Sequence, residues 1–184
     1  MKTPFVHAGW VLLLCCAPAL SQVRSQSLPA RGNSQIQNIS IPLRSFEEVP
    51  SISSAARGTF HARVEAGAIR YKLSYSGLQG DVRQAHIHFG QKGVNGGVSV
   101  FLCQTTFNTD PTGLAPTCPQ SGEVDGLLLP ANVVGPGGQG ITAGEFAELV
   151  AAIRHGVAYV NVHSTLFPGG EVRGQLDRDG HGDH

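Results

Sequence analysis

The sequence predicts an all-β fold, a sandwich or barrel built from short strands. Two observations lead to this prediction. Runs of about five to eight residues alternate between apolar and polar side chains, and glycine-rich turns separate them. The chain contains 24 glycines but a single methionine. With 13 basic and 13 acidic residues the charge is sparse and balanced, so no nucleic-acid-binding surface is predicted.

The N-terminus has the layout of a secretory signal peptide. Lys2 precedes a short apolar run at 10–19, and residues 17–19 offer an A-x-A cleavage pattern. The run is shorter than the about 20 residues that a membrane-spanning helix needs. We therefore expect residues 1–21 to be a signal peptide and the mature protein to be secreted or periplasmic, without a stable membrane span. The alternative is an N-terminal anchor that is never cleaved.

The rest of the chain has the length of one domain with polar ends. Residues 22–40 are polar and lack an apolar period, which predicts a flexible leader. The β domain is expected over 41–177, followed by a disordered, charged and glycine-rich tail at 178–184. Asn38 starts a glycosylation sequon, which matters only if the source is eukaryotic.

Six segments have the pattern of β-strands. The clearest is 68–75, where Ile69, Tyr71 and Leu73 share one face because alternate side chains of a strand point the same way. The other predicted strands are 58–64, 82–89, 98–102, 158–164 and 171–176.

One amphipathic helix interrupts the strands. Thr142 and Glu145 have the spacing of a capping box. An apolar stripe follows at i, i+3, i+4 and i+7, formed by Phe146, Leu149, Val150 and Ile153. The sequence therefore predicts a helix over about 143–155 that packs on the sheet.

Cys103 and Cys118 are the cysteines that remain after removal of the signal peptide. In an oxidising compartment an even pair predicts one disulfide that closes the loop between them. The alternative is a pair of free thiols or metal ligands. Two cysteines 15 residues apart without a C-x-x-C motif are a poor indication of a zinc site.

The sharpest chemical feature is the pair His86 and His88 in the strand 82–89. Both imidazoles lie on the face opposite to Ile87, and His163 joins them if the strand 158–164 is a neighbour. Three neutral imidazoles suit copper or zinc. The sequence therefore predicts a metal site of these three histidines, with copper favoured. The alternative is a set of histidines on a solvent-exposed face.

Two further residues are weaker candidates. His61 is a candidate fourth ligand, and the alternative is an exposed or half-buried strand histidine. Arg173 is a candidate contact for an anion or a protein partner. Its alternative is an ion pair with Glu171 on the same strand face. The sequence has no nucleophile elbow, P-loop or dinucleotide fingerprint, so hydrolase, nucleotide-binding and dehydrogenase chemistry have no support.

Three motifs in a fixed order carry a family resemblance: AHIHFG at 85–90, YVNVH at 159–163 and PGGEVRGQL at 168–176. EVP at 48–50 and ARG at 56–58 precede them. Together they resemble the CHRD domain, first described in chordin and widespread in exported bacterial proteins. The resemblance covers roughly residues 41–177. It implies an antiparallel β-sandwich of immunoglobulin-like type and little settled biochemistry.

The same segments are more loosely similar to copper–zinc superoxide dismutase. This similarity implies that His86, His88 and His163 are copper ligands and that Arg173 guides anions. The pattern departs from that family because residues 90–141 contain no histidine, so the bridging histidine and the zinc loop are missing. The cysteines are also placed differently.

These observations give three hypotheses for the function. The first is an exported CHRD module that binds copper, or else zinc, without catalysis. The second is an extracellular interaction or adhesion module that contacts another protein and holds no metal. The third, ranked last, is a copper-dependent enzyme of superoxide dismutase type.

Overall fold

The computed structural model describes residues 36–177, and antiparallel β-strands dominate this part of the chain. The strands are β1 Gln37–Arg44, β2 Arg57–Glu65, β3 Ala68–Ser76, β4 Val82–Phe89, β5 Gly97–Cys103, β6 Gly122–Leu128, β7 Ala158–Ser164 and β8 Val172–Gln175. One α-helix, α1, spans Phe146–Arg154, and short 3₁₀ turns occupy Ser45–Glu47, Pro130–Asn132 and Gly137–Gln139. The predicted all-β class with one short helix is confirmed.

The eight strands form one sheet in the order β5-β4-β7-β8-β1-β2-β3-β6. Every pairing is antiparallel, and the outer strands β5 and β6 approach each other. The sheet is therefore nearly closed into a barrel, which leaves little unpaired edge for association with other chains. The division into the two sheets of an immunoglobulin-like or superoxide-dismutase-like sandwich stays a prediction.

The hydrophobic core is built from alternate side chains of the strands and from one face of α1. Leu73 and Ile87 are fully buried in it, and Leu149 and Ile153 of the helix belong to the same cluster. The predicted apolar stripe of the helix is thus confirmed. The helix begins later than predicted because Gly144 has a φ of +86°, which is incompatible with a helical turn.

Two strands extend the predicted set. β1 begins at Gln37, inside the segment predicted as a leader, because Ile39 and Ile41 alternate into the core. β6 pairs with β3 over the range Gly122–Leu128. The predicted signal peptide, the leader before residue 36 and the tail at 178–184 lie outside the described residues. Within residues 36–177, no helix is long and apolar enough to span a membrane.

The loop after β5 is fixed by a disulfide and by a buried carboxylate. Cys103 and Cys118 are joined, as predicted. Inside the loop, the carboxylate of Asp110 accepts hydrogen bonds from the backbone N–H groups of Thr112 at 2.9 Å and Ala115 at 3.0 Å. The loop is therefore an ordered part of the domain.

Replacing both Cys103 and Cys118 with alanine should lower the free energy of unfolding by about 3 kcal/mol, because the cross-link restricts the unfolded chain. Denaturant unfolding of the full chain measures the difference. A reductant should destabilise the wild type and leave the double variant unchanged. Equal stability of wild type and variant under oxidising conditions would contradict the prediction.

Candidate metal centre

Three histidines meet on the polar face of the sheet. In β4, Ile87 points into the core, which places His86 and His88 on the opposite face. β7 is the hydrogen-bonded neighbour of β4, and it contributes His163. One ring nitrogen from each histidine lies within 4.8 Å of the others. The three residues are 1%, 7% and 5% exposed. They therefore form a buried cluster and do not lie on a solvent-exposed face.

Backbone carbonyls fix the protonation of two rings. The Nδ1 atom of His88 lies 2.9 Å from the carbonyl oxygen of Gly96, and that of His163 lies 2.9 Å from the carbonyl oxygen of Pro168. A carbonyl oxygen only accepts, so each Nδ1 carries the proton and each Nε2 keeps a free lone pair. In these tautomers the Nε2 atoms are the ones available to a metal ion.

The lone pairs of the cluster have few other partners. Nε2 of His163 lies 3.0 Å from Nδ1 of His86. The Nε2 atoms of His86 and His88 are buried without a hydrogen-bond partner. The Phe101 ring packs edge-on against His86 with a centroid distance of 4.4 Å and shields that ring from water. Buried polar atoms without partners are uncommon in proteins and often mark a site that is completed by a ligand.

Burial keeps the three imidazoles neutral. Desolvation lowers the pKa of both His88 and His163 to about 4 and outweighs the hydrogen bonds to the carbonyls of Gly96 and Pro168, which act to raise it. The pKa of His86 is lowered well below its ordinary value, first by desolvation and then by the other two histidines. Neutral imidazole is the form that binds metal ions, so the cluster is ready to bind at neutral pH.

A stack of side chains supports His88. The Tyr159 ring lies parallel to the His88 imidazole, with centroids 4.8 Å apart and an interplanar angle of 4°. The guanidinium carbon of Arg173 lies 3.4 Å from the centroid of the same Tyr159 ring. Arg173 is only 2% exposed. Arg173 is thus a buried charge that is separated from the histidine cluster by the Tyr159 ring alone.

Arg173 also holds the loop that follows β4. Its guanidinium donates to the carbonyl oxygens of Val94 at 2.9 Å and Gln91 at 3.4 Å, and to Oδ1 of Asn95 at 3.2 Å. The same loop carries Gly96, whose carbonyl orients His88. Arg173 therefore stabilises the loop conformation on which the tautomer of His88 depends.

The alternative ion pair between Arg173 and Glu171 is absent from the salt bridges of residues 36–177. Oε1 of Glu171 instead accepts hydrogen bonds from the Ser54 hydroxyl at 2.7 Å and from the backbone N–H of Gln79 at 2.8 Å. Glu171 thus joins β8 to two loops that are far away in sequence. The pairing could not be recognised from strand alternation because both loops are remote.

A second buried carboxyl group, Glu48, was missed at the sequence level. It is 4% exposed, and its Oε1 atom and Oδ1 of Asn161 are buried without hydrogen-bond partners. Burial raises the pKa of Glu48 to about 7, while the charge of Arg173 and the Asn161 amide act to lower it. Asn161 could have been found, since it lies on the same strand face as His163.

Gly170 makes room for this polar pair. Its φ is +131°, and a Cβ atom at this position would overlap the carboxylate of Glu48 and the amide of Asn161. The glycine of the 168–176 motif is therefore required by the close approach of the β7–β8 loop to the site.

His61, the candidate fourth ligand, lies elsewhere on the sheet. It is exposed on β2, where its cross-strand neighbours are Ser40 and Lys72. It does not join the group formed by the other three histidines. Its position corresponds to the alternative of an exposed strand histidine.

A comparison with protein-family models finds a match to the CHRD domain over residues 39–176. The match covers most of the chain, including every strand named above except the first residues of β1. No curated protein and no solved structure matches the chain. The resemblance to the CHRD domain is confirmed.

The lowered pKa values predict that the metal-free protein loses stability on acidification. Each of the three histidines binds a proton more weakly in the folded chain than its ordinary value near 6.5 implies. Between about pH 6.5 and pH 4 the unfolded chain therefore takes up more protons, and the free energy of unfolding falls as the pH falls. Glu48 acts in the opposite direction between its ordinary 4.5 and about 7, but one carboxyl group opposes three imidazoles.

Denaturant unfolding in the presence of a chelator, repeated from about pH 7 to about pH 4, measures this loss, which should reach several kcal/mol at about 1.4 kcal/mol per pKa unit. His163→Gln should flatten the profile because it removes one buried imidazole. His61→Gln is the matched control and should keep the wild-type profile, since His61 is exposed. A free energy of unfolding that stays constant or rises over this range would disprove the prediction.

Proposed function

The chain belongs to the CHRD domain family, and we propose that it is an exported module that binds one transition-metal ion, copper in preference to zinc. The ligands are His86, His88 and His163. The observation that carries this proposal is the buried group of neutral imidazoles with nitrogen atoms within 4.8 Å of one another. The N-terminal signal-peptide pattern and the family membership support export.

The ligand spacing fits a small metal ion. With bonds of about 2.0–2.1 Å, two nitrogen ligands of a tetrahedral ion lie about 3.3 Å apart. The 3.0 Å between Nδ1 of His86 and Nε2 of His163 is close to that value, so His86 would bind the ion through Nδ1 in its other tautomer. The larger separations in the group, up to 4.8 Å, need a small inward rotation of His88. Binding therefore requires side-chain adjustment but no change of strand pairing.

The donor set favours copper. Imidazole nitrogen is a good ligand for both copper and zinc, and no thiolate or carboxylate of the described residues joins the group. For divalent ions at such a site, affinity is highest for copper in the Irving–Williams order. The oxygen donors that favour calcium, magnesium or manganese are missing from the cluster, which argues against those ions.

The surroundings support binding rather than catalysis. A catalytic metal site keeps one position open for water or substrate. Here the three histidines are nearly fully buried, so a substrate has little access to any position that they leave open on the ion. Arg173, the residue that the dismutase similarity implies for anion guidance, donates to the backbone of the loop 90–96 instead. Superoxide dismutase activity is therefore the least supported of the three hypotheses.

An interaction module is the second candidate function. Large apolar side chains are exposed on three loops that also contribute to the site: Phe46 at 70%, Leu166 at 57% and Val94 at 42%. The first and third of these loops are linked, because the Asn95 amide donates to the carbonyl oxygen of Val49 at 2.8 Å. Apolar side chains on connected surface loops are typical of protein contacts. This candidate gains support if the metal titration is negative.

Titration of the purified chain without residues 1–21 tests the proposal, because the Cys15 and Cys16 thiols of the predicted signal peptide would themselves bind copper. The ions are copper(II), zinc and copper(I), the last with a non-thiol reductant that leaves the disulfide intact. We expect one copper ion per chain, and His163→Gln should weaken binding at least about tenfold because one of three ligands is lost. His61→Gln is the matched control and should bind like the wild type. The terminal histidines are identical in all three proteins, so they contribute equally. No binding, or equal binding by His163→Gln, would refute the three-histidine site and leave the interaction module.

A further inference from the structure

The charges around the histidine cluster affect which oxidation state of a bound metal ion is stable. The inference drawn from them rests on the proposed function. We infer that the centre selects copper(I) over copper(II) and zinc, and that the buried charge of Arg173 strengthens this preference. The inference is carried by the number of ligands, by their neutrality and by the position of the guanidinium.

The number of ligands favours copper(I). Within residues 36–177, three imidazoles form the cluster and no other histidine, cysteine or acidic side chain joins it. Zinc is almost always four-coordinate at structural protein sites, and copper(II) prefers square-planar or tetragonal surroundings. Copper(I) has a filled d shell and accepts three ligands in a plane. A buried, three-nitrogen site is therefore completed by copper(I) without a further ligand.

The neutrality of the ligands acts in the same direction. Three neutral imidazoles cancel none of the charge of the ion, so the bound centre carries one positive charge with copper(I) and two with copper(II) or zinc. The cluster is 93% or more buried at each ring, and charge in such surroundings is costly. The cost rises steeply with the charge of the ion, which favours the monovalent state.

Arg173 adds a fixed positive charge to this environment. Its guanidinium lies against one ring, Tyr159, which itself stacks on His88. The repulsion between the guanidinium and a divalent ion is twice that for a monovalent ion at the same distance. Glu48 and Glu47 oppose this charge, and Glu48 is the buried one of the two and contacts Asn161. Arg173 and Glu48 should therefore shift the preference in opposite directions.

The affinities of the chain without residues 1–21 for copper(I), copper(II) and zinc can each be measured by competition with a coloured chelator. Copper(I) is measured under anaerobic conditions with a non-thiol reductant that leaves the disulfide intact, so that no thiol competes with the histidines. We expect copper(I) to bind at least about 100-fold more tightly than either divalent ion. A medium of about pH 8 keeps the Glu48 carboxylate ionised. Arg173→Gln removes a positive charge and should lower the ratio of the copper(I) affinity to the copper(II) affinity about tenfold. Glu48→Gln removes a negative charge and should raise the same ratio by a similar factor.

Two control variants separate the effect of charge from disruption of the fold. Arg173→Lys keeps the charge and should keep the ratio, whatever it does to the overall affinity. Arg63→Gln removes an equal charge from an exposed ion pair with Glu65 and should not change the ratio. A variant that only loosens the site should lower the affinity for all three ions together and leave the ratio unchanged. If the Arg173 variants do not fold, the change of the affinity ratio in Glu48→Gln decides whether charge sets the preference.

The possible results distinguish the two proposals. Copper(II) or zinc binding as tight as copper(I) overturns the present inference and leaves the three-histidine site intact. A change of the ratio in the same direction in Arg173→Gln and Glu48→Gln overturns the role of charge. Failure of every ion to bind overturns the proposed function and, with it, the selectivity.

Discussion

The pairing of β4 with β7 is the constraint on which the rest of the structure depends. In this register His88 lies opposite Tyr159 and His86 opposite Asn161, while Ile87 lies opposite Val160. The apolar pair fills the core and the polar pairs form the candidate centre. A slip of one residue would exchange the two faces, so burial of the core residues holds the histidines in place. The stability of the fold and the geometry of the site thus come from the same hydrogen-bonded ladder.

Loops orient the histidine side chains that the strands bring together. The carbonyls of Gly96 and Pro168 set the tautomers of His88 and His163, and Arg173 fixes the loop that carries the first of them. Each of these contacts orients a nitrogen lone pair before any ion is present. The arrangement leaves several buried polar atoms without partners, which is expensive in a core and expected where a protein holds a ligand.

Most of the sheet and the histidine cluster could be predicted from the sequence, because alternation identifies the strands and the face of each side chain. β1 and β6 were missed for local reasons. β1 follows a polar stretch and contains Pro42, and β6 contains Gly122 and Gly126, which weaken strand propensity. Their pairing with β2 and β3 outweighs these preferences. The contacts of Arg173 and the burial of Glu48 could not be predicted, since they depend on loops that are distant in sequence.

The buried charges of Arg173 and Glu48 are difficult to explain by stability alone. A buried ion pair loses its hydration, and apolar residues of similar size commonly stabilise a protein as well or better. Here the pair does not form a direct salt bridge among the described residues, and burial raises the pKa of Glu48 to about 7. Burial of these two groups lowers the free energy of unfolding, and both groups lie beside the three histidines. The hydrogen bonds to the loop 90–96 account for part of this cost at Arg173. A role in setting the electrostatic potential at the proposed metal ion would account for the rest, including the burial of Glu48.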